Sequence, residues 1–249
     1  MKKISILVLV CMLMGGCAAK VSPAEIYKMV NDAQEAIHQS EGMNAEIEMG
    51  IKMKIQEETQ EMMINGELII EDTKSEDMKF KMEMALEMDG QNMSIVQYYK
   101  EGYLYIDMMG MKAKQPMPYA DALTQANSLN FSEGGFGEEM YENAKLSKNG
   151  EDSVVVLNVD GELMKELSAK MLEQFSMPGI DSVNVEYGKV SIRTVINKDG
   201  LLSEESVVLP MKMTVQEEVI ELDMTMTMRY LNVGQPVVIE FPDFSDYTE

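Results

Sequence analysis

Met43-Asn44-Ala45-Glu46-Ile47-Glu48-Met49-Gly50-Ile51-Lys52-Met53-Lys54-Ile55 alternates apolar and polar residues for 13 positions without a break, Gly50 standing in the polar set. A period of two is the mark of a β-strand with one dry and one wet face. At 13 residues the strand is longer than most, so it predicts a sheet broad enough to need a cover on its dry side.

The pattern recurs on both sides of this stretch. In 78–88, Met78, Phe80, Met82, Met84, Leu86 and Met88 oppose Lys79, Lys81, Glu83 and Glu87. In 218–230, Ile220, Leu222, Met224, Met226, Met228 and Tyr230 oppose Glu221, Asp223, Thr225, Thr227 and Arg229. Further strands are predicted at 62–70, 92–100, 103–109, 153–159, 183–196 and 202–216, with Gly66 read as a bulge. Asp89-Gly90, Glu101-Gly102 and Asp199-Gly200 supply turns between them. Pro236 and Pro242 limit the tail 236–247 to an edge strand at most.

Helices are predicted in three places. Ser22-Pro23-Ala24-Glu25 combines a capping residue, a proline at the first helical position and the glutamate of a capping box. Ile26, Met29, Val30, Ala33 and Ile37 then share one face over 23–39. The middle, 116–147, is rich in Pro and Gly and carries short helical patterns near 119–129 and 137–144. Asp160 caps a helix over 161–175 with Leu163, Met164, Leu167, Met171, Leu172 and Phe175. The fold class that follows is α+β: a curved antiparallel sheet, a half-barrel, wrapped around a few helices.

The N-terminus reads as an address. Lys2 and Lys3 precede an apolar run from Ile4 to Met14, too short to span a bilayer and suited to a signal peptide. Gly15-Gly16-Cys17 follows and resembles the bacterial lipobox, with Met14 where Leu is usual. That resemblance implies cleavage before Cys17 and lipidation of its sulfur. The expected organisation is a signal peptide at 1–16, a lipidated Cys17 with a tether over 17–21, and a single domain over 22–249. Cys11 would leave with the signal, so the mature body would hold no disulfide.

Composition removes several functions. With 43 Asp and Glu against 21 Lys and Arg, the formal charge is −22, and nucleic acid is repelled. Losing Lys2 and Lys3 leaves 19 basic residues, a balance of −24, so anionic headgroups repel the body and acyl chains must anchor it. There is one His, no Trp, and no Gly-x-Ser-x-Gly, Ser-x-x-Lys, HExxH or phosphate-loop motif. No EF-hand spacing is present. The expectation is a protein that is not an enzyme and needs no cofactor or metal.

The 27 methionines are the unusual feature. Met is flexible and polarizable and adapts to irregular apolar shapes. A concave face with Met43, Met49, Met53, Met82, Met84, Met88, Met224, Met226 and Met228 would suit a lipid or another apolar molecule, or would simply fill a core. Copper(I) is the sharper alternative, since Met82-x-Met84, Met211-x-Met213 and Met224-x-Met226-x-Met228 offer soft thioethers. It lacks an assisting thiol, and His38 sits on a helix far away in sequence. Phe131 and Phe136, in the Gly-rich loop 131–139, are the expected lid.

The order helix, meander, helical middle, meander resembles the LolA/LppX-type lipoprotein fold. The segments that carry the resemblance are Tyr98-Tyr99-Lys100-Glu101-Gly102-Tyr103-Leu104-Tyr105-Ile106 and Asn197-Lys198-Asp199-Gly200-Leu201 leading into Pro210-Met211-Lys212-Met213. The resemblance implies an apolar cavity for acyl chains. Arg193 and Arg229, the only arginines, fall on polar positions of their strands, so no arginine is expected inside it. The function these readings favour is binding of a hydrophobic ligand by a membrane-anchored extracytoplasmic lipoprotein. The other reading is a surface interaction or sensor module with a filled core.

Overall fold

In a computed structural model, residues 21–73, 75–88, 91–127, 137–165, 184–215 and 218–248 are described. The expected signal peptide, Cys17, Asp89-Gly90, the expected lid residues Phe131 and Phe136, and most of the helix expected over 161–175 lie outside them.

The chain opens with α1 (Pro23–His38). Its capping box forms as the sequence requires: the Ser22 amide donates to Glu25 Oε2 at 2.8 Å, and the Glu25 amide donates to Ser22 Oγ at 3.2 Å. Four long strands and two short ones follow: β1 (Gly42–Ile55), β2 (Glu58–Glu71), β3 (Lys79–Met88), β4 (Gln91–Lys100), β5 (Tyr103–Met108) and β6 (Met111–Pro116). Then come α2 (Tyr119–Asn127), a 3₁₀ turn (Glu138–Asn143), β7 (Lys145–Asn149) and β8 (Asp152–Val159). The second meander is β9 (Asn184–Tyr187), β10 (Val190–Ile196), β11 (Leu202–Val215) and β12 (Glu218–Tyr230).

All twelve strands join one antiparallel sheet in the order β6-β5-β4-β3-β2-β1-β12-β11-β10-β8-β7, with β9 also on β11. The sheet is curved and open, not closed into a barrel. The pairing of β1 with β12 brings together the two halves of the chain: Met49 faces Met226, and Ile51 faces Met224. The hairpins β4–β5 and β5–β6 turn on Glu101-Gly102 and Met109-Gly110, where φ is 54° and 80°, then 54° and 87°. Two successive positive φ values match the right-handed twist of the flanking strands, and glycine adopts the second without steric cost.

Three expectations are corrected. Gly66 is not a bulge: the register runs unbroken through Ile47–Gly66 and Gly66–Met84. A Cβ at this glycine would lie 2.7 Å from the Glu83 carbonyl oxygen, so a side chain is excluded by crowding. The single strand expected over 183–196 is divided into β9 and β10. The break faces Pro210, whose missing N–H points to that side of β11; its carbonyl accepts from Gly188 at 2.8 Å. Finally, β6 and β7 form where no strand was expected, each joined by a hairpin to its neighbour, β5 or β8.

The tail forms no strand, but it is held firmly. The Ile239 amide donates to Glu71 Oε2 at 3.2 Å, and Phe244 stacks on Tyr105 with centroids 3.9 Å apart. Thr248 bridges to Ala113 on the edge strand β6. The tail thus crosses the face carrying Tyr98 and Tyr105, opposite the one that carries the helices, and covers one edge of the sheet.

Candidate functional site

The dry face of the sheet is concave and takes α1 against it. Ile26, Val30, Ala33 and Ile37 are buried there together with Met43, Ala45, Ile47, Leu68 and Phe80. Their spacing on α1 is the 3.6-residue period that lays one stripe on a sheet. α2 adds Ala122 and Ala126 to the same core.

Burial along this face is graded. In β1, Met43, Ala45 and Ile47 are buried, whereas Met49, Ile51, Met53 and Ile55 are only half-buried. In β12 the gradient runs the other way along the chain, because the strands are antiparallel: Tyr230, Met228 and Met226 are buried, and Met224, Leu222 and Ile220 are half-buried. Leu68 and Ile70 of β2 are buried and Met62 and Ile64 are not. One end of the face is therefore sealed by helices, and an apolar strip continues beyond them. The rim of that strip includes Met93 and Met108, and the β5–β6 turn beside it presents Met109 and Met111, each 63% exposed.

Register puts all nine expected methionines on this one face. The structure then divides them. Met43, Met82, Met226 and Met228 are buried. Met49, Met53, Met84 and Met224 are half-buried on the strip. Met88 belongs to the strip by its pairing with Met62, although its side chain is outside the described residues.

At the sealed end a cavity of about 50 Å³ remains between α1, α2 and strands β1, β2 and β12. Ile37, Met43, Leu68, Leu123, Met228 and Tyr230 are among its walls. It has a third of the volume of a void that holds benzene, about 150 Å³.

Beside this cavity the apolar pattern is broken by one residue that sequence reading passed over. Glu205 of β11 is 2% exposed and lies on the concave face, directly opposite Met228 on one side and Thr194 on the other. Its carboxyl accepts hydrogen bonds from the side chains of Thr194 and of Gln34 on α1. The second oxygen, Oε2, is buried without a partner, and so is Tyr230 Oη. Desolvation pushes the Glu205 carboxyl up to about 7, against which the two hydrogen bonds act. Burial also raises Tyr141, to about 12, and Tyr230, and the Glu205 charge pushes both in the same direction. Tyr27 of α1 meets Tyr141 edge-on at 5.2 Å. A signal for Glu205 was present: in 202–216 it occupies the step shared by Val207, Leu209, Met211 and Met213.

The arginines lie on the other face. Arg193 and Arg229 both pair with Glu204, the latter at 3.3 Å, and Arg229 also reaches Glu48 at 3.0 Å. Among the described residues no group of three or more His, Cys, Asp or Glu is placed to hold a metal ion.

Residues 23–244 match the family of unknown function DUF6612. Comparison with curated proteins gives no match. Among solved structures, the chain is similar to LprF from Mycobacterium bovis, with a TM-score of 0.44 and 10% identity over 88% of this chain and 97% of that one. It is also similar to a domain described as an outer membrane lipoprotein-sorting protein from Vibrio parahaemolyticus, with a TM-score of 0.24 and 13% identity over 82% and 92%. A DUF1329 family protein from Desulfovibrio piger gives a TM-score of 0.24 and 7% identity over 84% and 93%.

Proposed function

This chain belongs to the DUF6612 family, and we propose that it is a lipid-anchored extracytoplasmic protein that binds a hydrophobic ligand on the concave face of its sheet. In this reading residues 1–16 are a signal peptide, Cys17 carries the lipid, 17–21 tether, and 22–249 fold as one domain. The support for the address is the charged, apolar and small-residue sequence ending at Cys17. Among the described residues no helix is long and apolar enough to cross a membrane.

The observation that carries ligand binding is the burial gradient. Met49, Met53, Met84 and Met224 continue the row of the core past the cover of the helices, in half-buried positions. Water on such a strip is displaced favourably by any apolar surface, at about 0.8 kcal/mol for each methylene buried. The binding needs no covalent chemistry. Thioether side chains repack around different chains at little cost.

The test is direct. Full-length protein extracted in mild detergent is examined by native mass spectrometry and by lipid extraction, and the stripped protein is titrated with a fluorescent fatty acid. Near-stoichiometric ligand, or uptake that Met84→Asp abolishes, supports the reading. The small cavity favours a second reading, an interaction module filled by its own side chains. Clean apo-protein that takes up nothing would establish that one in its place.

A further inference from the structure

Among the described residues three buried side-chain atoms stand unpartnered: Asn44 Oδ1 on the polar row of β1, and, on the dry face, Glu205 Oε2 of β11 and Tyr230 Oη of β12. A buried acceptor left without a donor costs about 1–3 kcal/mol, so such atoms are rare unless something pairs with them. Glu205 and Tyr230 are close on that face. Glu205 is opposite Met228, and Tyr230 follows Met228 by one step of the strand's dry row. Met228 and Tyr230 are also walls of the cavity. The orphaned groups therefore sit at the sealed end of the same apolar row whose other end is the half-buried strip.

The chemistry of the surroundings is selective. The side chains that bond Glu205 or share its field are Thr194, Gln34, Tyr141 and Tyr230, all uncharged when Glu205 ionises. No described cation compensates the carboxylate. Tyr141 and Tyr230 lie within the field of its charge, Tyr27 packs on Tyr141, and aromatic rings near a carboxylate in low dielectric favour an organic ammonium. The formal charge of −22 raises the local concentration of cations around the whole body.

We propose that Glu205 and Tyr230 form the polar subsite of the hydrophobic site, and that it takes the headgroup of an amphiphile bearing a primary amine. The cavity is sized for a headgroup, and the chain would run toward the methionine strip. The carboxylate accepts one ammonium N–H through Oε2, the Tyr230 hydroxyl accepts another, and the positive charge of the ammonium favours the ionised state that desolvation opposes. This assignment rests on the hydrophobic-ligand reading and adds the class of ligand to it.

The test titrates full-length protein at pH 8 with dodecylammonium, dodecanol and dodecanoate, each displacing 1-anilinonaphthalene-8-sulfonate. Dodecylammonium is expected to bind at least about tenfold more tightly than dodecanoate, the scale of one buried charge-assisted contact. Glu205→Gln, an isosteric change, should remove about tenfold from dodecylammonium and leave dodecanol within about threefold. Tyr230→Phe should weaken dodecylammonium in a protein whose circular dichroism is unchanged. Equal affinity for the three headgroups overturns the subsite while leaving the hydrophobic site intact. So does dodecylammonium binding that survives Glu205→Gln, which would be attraction to the acidic surface. Failure of every probe, the dye included, overturns the hydrophobic site as well.

Discussion

Glu204 and Glu205 are neighbours in the chain and opposites in environment. Glu204 bridges Arg193 and Arg229 on the outer face of the sheet, while Glu205 is sealed against Met228 with one oxygen unpartnered. A strand turns successive side chains to opposite faces, so one peptide step separates a solvated ion pair from a buried carboxyl.

That burial links stability to pH. The Glu205 carboxyl moves from an ordinary 4.5 up to about 7 in the folded protein, because burial disfavours its charged form. The folded chain then keeps a proton that the unfolded chain releases. The contribution is fully present below 4.5, is lost as pH rises through about 7, and is flat above that. Wild type should lose up to about 3 kcal/mol across this window. Glu205→Gln should flatten the profile and be the more stable protein at pH 8, as read from urea midpoints. Parallel profiles for the two proteins would show that Glu205 does not titrate in this window.

The methionine row should respond according to position. Met224→Asp lies on the half-buried strip and should lower uptake of a fluorescent fatty acid by about tenfold or more while Tm falls by only a few degrees. Met226→Ala, two residues nearer the helices and buried, should cost about 2–5 kcal/mol in stability. Uptake unchanged in folded Met224→Asp would remove the strip from the binding site.

Removing the aromatic clamp of the tail should loosen one end of the sheet. Phe244 stacks on Tyr105 and meets Tyr247 edge-on at 5.3 Å. Phe244→Ala should cost about 2 kcal/mol, less than a fully buried phenylalanine because the ring is half-buried. Hydrogen exchange should rise first in β5 and β6, where Thr248 reaches Ala113.

Gly66→Ala should destabilise the protein by about 1–3 kcal/mol, because its Cβ would press on the Glu83 carbonyl within a paired strand. Thermal unfolding of the purified variant measures it.

Much of the framework was legible beforehand. The period of two placed β1, β3 and β12 and their dry faces, and the Ser22-Pro23-Ala24-Glu25 box placed the start of α1. Gly66 was misread because glycine in a strand marks a bulge or a close approach alike, and only the neighbouring strand distinguishes them. The division of β9 from β10 escaped because its cause, Pro210, lies on the partner strand. Glu205 was lost among 43 acids, although its position on the dry step of β11 set it apart.

By itself the sequence determined which side of each strand is dry, where the chain turns and where its first helix begins. These follow from steric and hydrogen-bonding preferences that act within a few residues. The tertiary structure alone decided which methionines are core and which are half open to water, since identical residues on one row differ only in whether a helix lies over them. It also decided that Glu205, one of 43 acidic residues, is shut away from solvent with an acceptor to spare. Burial depends on elements distant in the chain coming together, and no local pattern contains that information.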